Sequence, residues 1–197
     1  MYYQNSSVSG GIYFKYLKQP KRYIISMKKA LFLDRDGVVN EDSRYPHKPE
    51  HIVFRDGIFD LCRFAVQKGY IIVVVTNQSG IAKGYFTEED VKKLHAWMGE
   101  RFVKEKIEIT AFYYCPYHHE GVNEQYRRDS DLRKPAPGML LQAVKDHGID
   151  LTKSLMVGDK SSDRIALAEL KSIILKSDYV KNGYDIESLE DVYGYLI

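Results

Sequence analysis

Short, strongly apolar runs recur along the chain at residues 30–33, 71–75, 109–114, 155–157 and 173–175. Such runs predict buried strands. Between them the apolar positions change to helical spacing. Ile58, Leu61, Cys62 and Ala65 follow i, i+3, i+4, i+7, and the pattern stops at Gly69. Thr87 opens Thr-Glu-Glu-Asp, an N-cap followed by an acidic first turn. Val91, Leu94, Met98 and Phe102 then carry a buried stripe, with Trp97 beside it. A third helix is predicted from near Pro137, through Leu140, Leu141 and Val144, to Gly148. A fourth is expected over about 162–168, and Leu189, Val192, Tyr193 and Leu196 predict a terminal helix. Strand and helix alternate, which predicts an α/β fold: a mainly parallel central sheet with helices on both faces. Residues 38–56 and 115–136 are irregular insertions after strand ends, expected to overhang the ligand edge of the sheet. Neither is long enough for a separate cap domain.

Composition narrows this picture only slightly. The chain has 197 residues, 44% hydrophobic and 28% charged, which suits one globular domain with a sizeable core. No apolar run has the length of a transmembrane helix, so no membrane partner is expected. A net charge of +2 is too small to point to nucleic acid by itself. That charge is uneven: Lys15, Lys18, Lys21 and Arg22 give residues 1–26 a charge of +4. This segment lacks the apolar core of a signal peptide. It is read as an extension, weakly ordered or upstream of a functional start at Met27, with residues 27–197 as the domain. Cys62 and Cys115 form no disulfide framework and suit a reducing, cytoplasmic setting. Cys62 falls on a helical apolar stripe and is read as core.

The chemistry concentrates at strand ends. Asp34-Arg35-Asp36-Gly37 follows the first apolar run. Two carboxylates one residue apart at a strand's carboxyl end stand where open α/β sheets place ligands. Their mutual repulsion calls for a proton or a cation. This suits a divalent-metal site with an Asp nucleophile and a second Asp as proton shuttle. A Ca²⁺ loop fits poorly, because Gly comes fourth and a strand precedes it. The second strand runs into Thr76-Asn77-Gln78-Ser79-Gly80, a turn able to cradle an anion or simply to turn. Arg133-Lys134-Pro135 precedes a helix and offers a guanidinium fork and a point charge for phosphate, or else a solvated basic pair. Asp159 in Gly158-Asp159-Lys160 would complete a carboxylate cluster for Mg²⁺, with Asp163 in support.

These four turns, in this order from Lys28 to about Leu175, resemble the haloacid dehalogenase (HAD) phosphatases. The resemblance implies a Rossmann-like HAD fold, with Asp34 as nucleophile and Asp36 as acid and base. It implies Thr76 and Lys134 on the phosphoryl oxygens, and Mg²⁺ held by Asp34, the Asp36 carbonyl and Asp159. The run 74–82, Tyr114-Cys115-Pro116 and Pro137-Gly138-Met139-Leu140-Leu141 narrow it to the D-glycero-D-manno-heptose 1,7-bisphosphate phosphatase family, with the related histidinol-phosphate phosphatases close by. That family implies a substrate loop at Asp42, Ser43, Arg44 and Tyr45. It also implies substrate contacts from Asn77, Gln78, Ser79, Arg133 and Lys160, with Arg133 facing a second phosphate.

Two departures stand out. Val38 replaces the Thr that family members usually carry after the Asp-x-Asp-Gly run. Relatives hold a structural Zn²⁺ with a Cys-x-His and a Cys-x-Cys pair. Here Cys115 remains, but Tyr117, Ser130 and Leu132 occupy the other places. His118 and His119 do not rebuild a four-ligand set with it, so zinc is expected to be absent. The expectation is a monomeric, Mg²⁺-dependent phosphomonoesterase acting on a small sugar phosphate, most specifically the 7-phosphate of heptose 1,7-bisphosphate. Histidinol phosphate, a nucleic-acid 3′-phosphate, or a catalytically silent binding module are the alternatives.

Overall fold

The computed structural model describes residues 27–197, and the expectations for segment 1–26 lie outside the described residues. Five parallel strands form one sheet in the order β3-β2-β1-β4-β5. They are β1 Lys29–Leu33, β2 Tyr70–Asn77, β3 Ile109–Cys115, β4 Leu155–Gly158 and β5 Lys171–Ile174. The helices are α1 Ile58–Gln67, α2 Ser79–Ala82, α3 Glu88–Lys104 and α4 Gly138–His147.

The apolar runs are continuous because both faces of the sheet are covered. Leu31 and Leu33 of β1, with Ile72 and Val74 of β2, pack on one side against Ile58 and Leu61 of α1 and Met98 and Phe102 of α3. The alternate residues Ala30, Phe32, Val73 and Val75 pack on the other side against Met139, Leu140 and Ala143 of α4. Phe102 meets Phe59 at 4.9 Å between ring centroids, and Trp97 stacks on Phe54 at 5.9 Å. Because β2 and β4 flank β1 on opposite sides, the strand order reverses there. That reversal opens the ligand crevice of a doubly wound sheet, at the ends of β1 and β4.

Three element readings need correction. No helix forms over 162–168: Ser161–Asp163 make a single 3-10 turn, and the next residues are irregular. Asp163 bonds the loop's own backbone, and those bonds take the place of a propagating helix. The terminal helix is a 3-10 segment, Glu190–Tyr195. Leu141, assigned to the buried stripe of α4, is exposed, and Met139 and Ala143 take the buried positions with Leu140. The short α2 after β2 has no counterpart in the sequence reading.

Candidate active site

Asp34 follows β1, and its N–H donates to Val157 O of β4 at 2.9 Å, which fixes the residue at the crevice. Lys134 Nζ lies 2.8 Å from Asp34 Oδ1 and 2.5 Å from Asp163 Oδ1, and all three residues are buried. Asn77 seats Lys134 by accepting its N–H (3.0 Å) and donating to its carbonyl (3.1 Å). Burial raises Asp34 to about 6; Lys134 opposes that shift and Asp163 adds to it. Burial pulls the Lys134 ammonium down, but Asp163 and Asp34 outweigh it and hold its pKa above the ordinary value.

Asp159 follows β4 and faces the same point. Burial and the neighbouring Asp34 raise it to about 7. Asp34, Asp159 and Asp163 bring carboxylate oxygens within 4.8 Å of one another. Asp163 is committed to protein donors: the N–H groups of Asp159 (3.1 Å) and Lys160 (3.0 Å), and Lys134. Asp159 Oδ1 is different, being buried without any hydrogen-bond donor among the described residues. An orphaned carboxylate oxygen beside a second buried carboxylate fits a hard divalent cation. Gly37 makes this approach possible. At φ +99° it turns the chain, and a Cβ there would stand 2.1 Å from Asp159 Oδ2.

Asp36 sits at the centre of a second network. Arg35, fully buried, donates through Nε to Asp36 Oδ1 (3.0 Å) and through Nη2 to Oδ2 (2.9 Å). Asn40 adds a bond to Oδ1 (3.1 Å) and Gln78 one to Oδ2 (3.0 Å). Arg35 is itself held by Pro46 O (2.8 Å) and by His95 Nε2 of α3 (3.2 Å). Burial, and then the Arg35 charge, push His95 well below its ordinary pKa. A neutral imidazole can accept from the guanidinium at Nε2. Gln78 also donates to Thr76 Oγ1 (2.8 Å), which leaves the threonine proton free for another acceptor.

A cavity of about 350 Å³ opens over these groups. It brings together Asp34, Asp36, Asp42, Arg44, Tyr45, Thr76, Asn77, Gln78, Ser79, Arg133, Lys134 and Lys160. Asp159 lines an adjoining cavity that shares Asp42 and Arg44. Arg44 and Tyr45 have φ near +60°, a tight left-handed turn over the mouth. The Tyr45 hydroxyl accepts from Lys83 Nζ at 2.9 Å. Ser43 turns away, its hydroxyl donating to His51 O (3.3 Å). Ser162 and Tyr179 also line the cavity, and nothing in the sequence pattern singled them out. Neither did it single out His95 or Asn40.

In the 115–133 loop, the buried Cys115 thiol, raised in pKa by burial, points to Tyr117 O at 3.8 Å. The Arg128 guanidinium lies 3.9 Å over the Tyr117 ring, and Arg133 Nη1 donates to Tyr117 O (3.4 Å). His118, His119 and Glu120 form a more exposed grouping with ligand atoms within 4.8 Å, which does not include Cys115.

The family profile described as Polynucleotide kinase 3 phosphatase matches residues 30–183. A solved D,D-heptose 1,7-bisphosphate phosphatase from B. bronchiseptica, complexed with magnesium and phosphate, superposes with a TM-score of 0.70 at 26% identity, covering 85% of this chain and 97% of that one. The chain therefore belongs to the HAD superfamily, within the Polynucleotide kinase 3 phosphatase family. A D-glycero-beta-D-manno-heptose-1,7-bisphosphate 7-phosphatase from Haemophilus influenzae is 49% identical over 137 residues, 70% of this chain and 74% of that protein. The alpha-anomer enzyme from Burkholderia mallei is also 49% identical, over 135 residues, 68% of this chain and 71% of that protein. Within the superfamily, this chain belongs to the D-glycero-D-manno-heptose-1,7-bisphosphate 7-phosphatase family.

Proposed function

We propose that the chain is a Mg²⁺-dependent phosphomonoesterase that removes the 7-phosphate of D-glycero-D-manno-heptose 1,7-bisphosphate through an aspartyl-phosphate. The observation that carries the reading is the buried Asp34–Lys134–Asp163 contact beside the orphaned Asp159 oxygen, at the switch point of the sheet. Phosphoryl transfer depends mainly on positioning and charge neutralisation, and this cluster offers both.

Lys134 spends two of its protons on Asp34 and Asp163, so the third is available to a phosphoryl oxygen. Thr76 donates its free proton to another. Asp34 attacks phosphorus; the bond to the sugar oxygen breaks, and Asp36 supplies that oxygen with a proton. Asp36 then takes a proton from the water that cleaves the acyl phosphate and regenerates Asp34. The four bonds from Arg35, Asn40 and Gln78 suit Asp36 as the ionised base of the second step; in the first step one of them gives way to the proton that Asp36 carries to the sugar oxygen. Asp34, Asp159 and the Asp36 carbonyl would hold Mg²⁺, which would supply charge neutralisation for the phosphoryl group. Asp163 supports Lys134 and the Asp159–Lys160 backbone. Arg44, Arg133 and Lys160 are the cations for the distal phosphate and the sugar.

Structural zinc has no place in this reading, because Tyr117, Ser130 and Leu132 stand at three of the four ligand places; an Arg128–Tyr117 stack lies in the same loop. The enzyme is read as a cytoplasmic monomer. No helix among the described residues is long and apolar enough to cross a membrane, and both cysteines are unpaired.

The family profile also raises a nucleic-acid 3′-phosphate as substrate. Glu120, Glu124, Asp129 and Asp131 offset Arg127, Arg128 and Arg133 in the loop that would face such a strand, which favours the sugar. Phosphate release over heptose bisphosphate, histidinol phosphate and a 3′-phosphorylated oligonucleotide, with and without Mg²⁺, decides between them. The expected result is the highest kcat/KM on the heptose, dependent on Mg²⁺, with Asp34→Asn abolishing turnover. Full activity of that variant would sink the mechanism.

A further inference from the structure

The turn that closes the cavity mouth is fastened by a residue far away in sequence. Asp42 Oδ2 accepts from Lys160 Nζ at 2.9 Å and from the Tyr179 hydroxyl at 3.0 Å. Asp42 Oδ1 accepts the N–H of Arg44 at 3.1 Å. The Lys160 ammonium also lies 4.5 Å over the Tyr179 ring. Tyr179 is placed for this by Ser177, whose hydroxyl donates to Asp159 O (2.6 Å) and accepts from Tyr179 N–H (3.1 Å). The loop after β5 is thereby pinned to the end of β4, and its tyrosine reaches across the mouth to the 42–45 turn.

Asp42 presents a difficulty at this position. A carboxylate at the rim of a site for a doubly anionic substrate repels it unless neutralised. Two donors on Oδ2 absorb much of that charge. They also fix the plane of the carboxylate, leaving Oδ1 with acceptor capacity beyond the Arg44 N–H. An acceptor oriented in this way suits a sugar hydroxyl, and the fixed turn carries Arg44 and Tyr45 over the same part of the cavity.

We propose that Tyr179 is a specificity-determining positioning residue, which holds Asp42 and the 42–45 turn against the sugar part of the substrate. This rests on the sugar-bisphosphate reading given above. The Tyr179 hydroxyl bonds Asp42 and none of Asp34, Thr76 or Lys134, so a small phosphate ester that needs only those three should be indifferent to it.

The test is Tyr179→Phe, which removes only the hydroxyl from a half-exposed side chain. With heptose 1,7-bisphosphate, KM should rise roughly fivefold, as expected for one hydrogen bond to a partly exposed charged group, with kcat little changed. With p-nitrophenyl phosphate both constants should stay at the wild-type values, and Tm should not move. In an Asp42→Ala background, where no acceptor is left for the hydroxyl, the same change should cost almost nothing. An unchanged KM for the bisphosphate, an equal loss on both substrates, or full additivity with Asp42→Ala would each overturn the proposal. Wild-type inactivity on the bisphosphate alongside turnover of p-nitrophenyl phosphate would overturn the substrate assignment instead. The role of Tyr179 would then be decided by the same comparison on the best sugar phosphate found.

Discussion

Arg35 is a full positive charge with no exposed surface, a placement that is costly unless the charge is paired and hydrogen-bonded. Here it is bidentate to Asp36, bonded to Pro46 O and capped by His95. It joins the residue read as acid and base to helix α3 and to the far end of the 42–47 segment. His95 meets the site through Arg35 and does not line the cavity. His95→Phe keeps the stacking on Phe112 (4.6 Å in the present structure) but removes the acceptor. It should lower kcat roughly tenfold with KM nearly constant, and His95→Gln should recover part of the loss. Steady-state kinetics check this; an unchanged kcat would mean that Arg35 needs no support from α3. The Asp-x-Asp-Gly run was legible as chemistry because its carboxylates are crowded in sequence. His95 was not, because a lone histidine on an amphipathic helix has the pattern of an ordinary core-edge position.

At the scale of elements, α3 began where its first turn said it should. Thr87 accepts from Asp90 N–H at 3.2 Å, and Asp90 accepts from Thr87 N–H at 2.8 Å, a reciprocal capping box. The box lies outside the cavity, so Thr87→Ala tests the element alone. It should cost about 1 kcal/mol and lower Tm by about 2–4 °C, with kcat/KM unchanged; thermal denaturation beside an activity assay reads both. The helix expected over 162–168 failed for the opposite reason. Its first residues spend their hydrogen bonds on a loop: Asp163 takes the Asp159 and Lys160 N–H groups and Lys134 instead of starting a helix. Local apolar spacing could not reveal that competition, because Lys134 comes from a distant turn.

Over the whole molecule, the buried carboxylates link stability to pH and to metal. Asp34 near 6 and Asp159 near 7 stand above the ordinary 3.8, so the folded protein binds more protons than the unfolded chain between those limits. Metal-free stability should therefore fall as pH rises from about 4 to about 7. Mg²⁺ binds the ionised carboxylates, so its stabilising effect should grow across the same window, with a larger Tm gain at about pH 7.5 than at about pH 5. Calorimetry with and without Mg²⁺ at the two pH values checks this, and equal gains would exclude these carboxylates as the binding groups. The sequence by itself determined the sheet, the helices α1, α3 and α4, and the gathering of polar side chains at the strand ends. Apolar periodicity and turn chemistry are local, and strand ends are where an α/β sheet exposes side chains. Only the tertiary structure decided what those groups face: the orphaned Asp159 oxygen, the buried Arg35–His95 support and the Tyr179–Asp42–Lys160 clasp. Each of these joins residues on separate elements, and a contact between distant segments leaves no spacing pattern in a single chain.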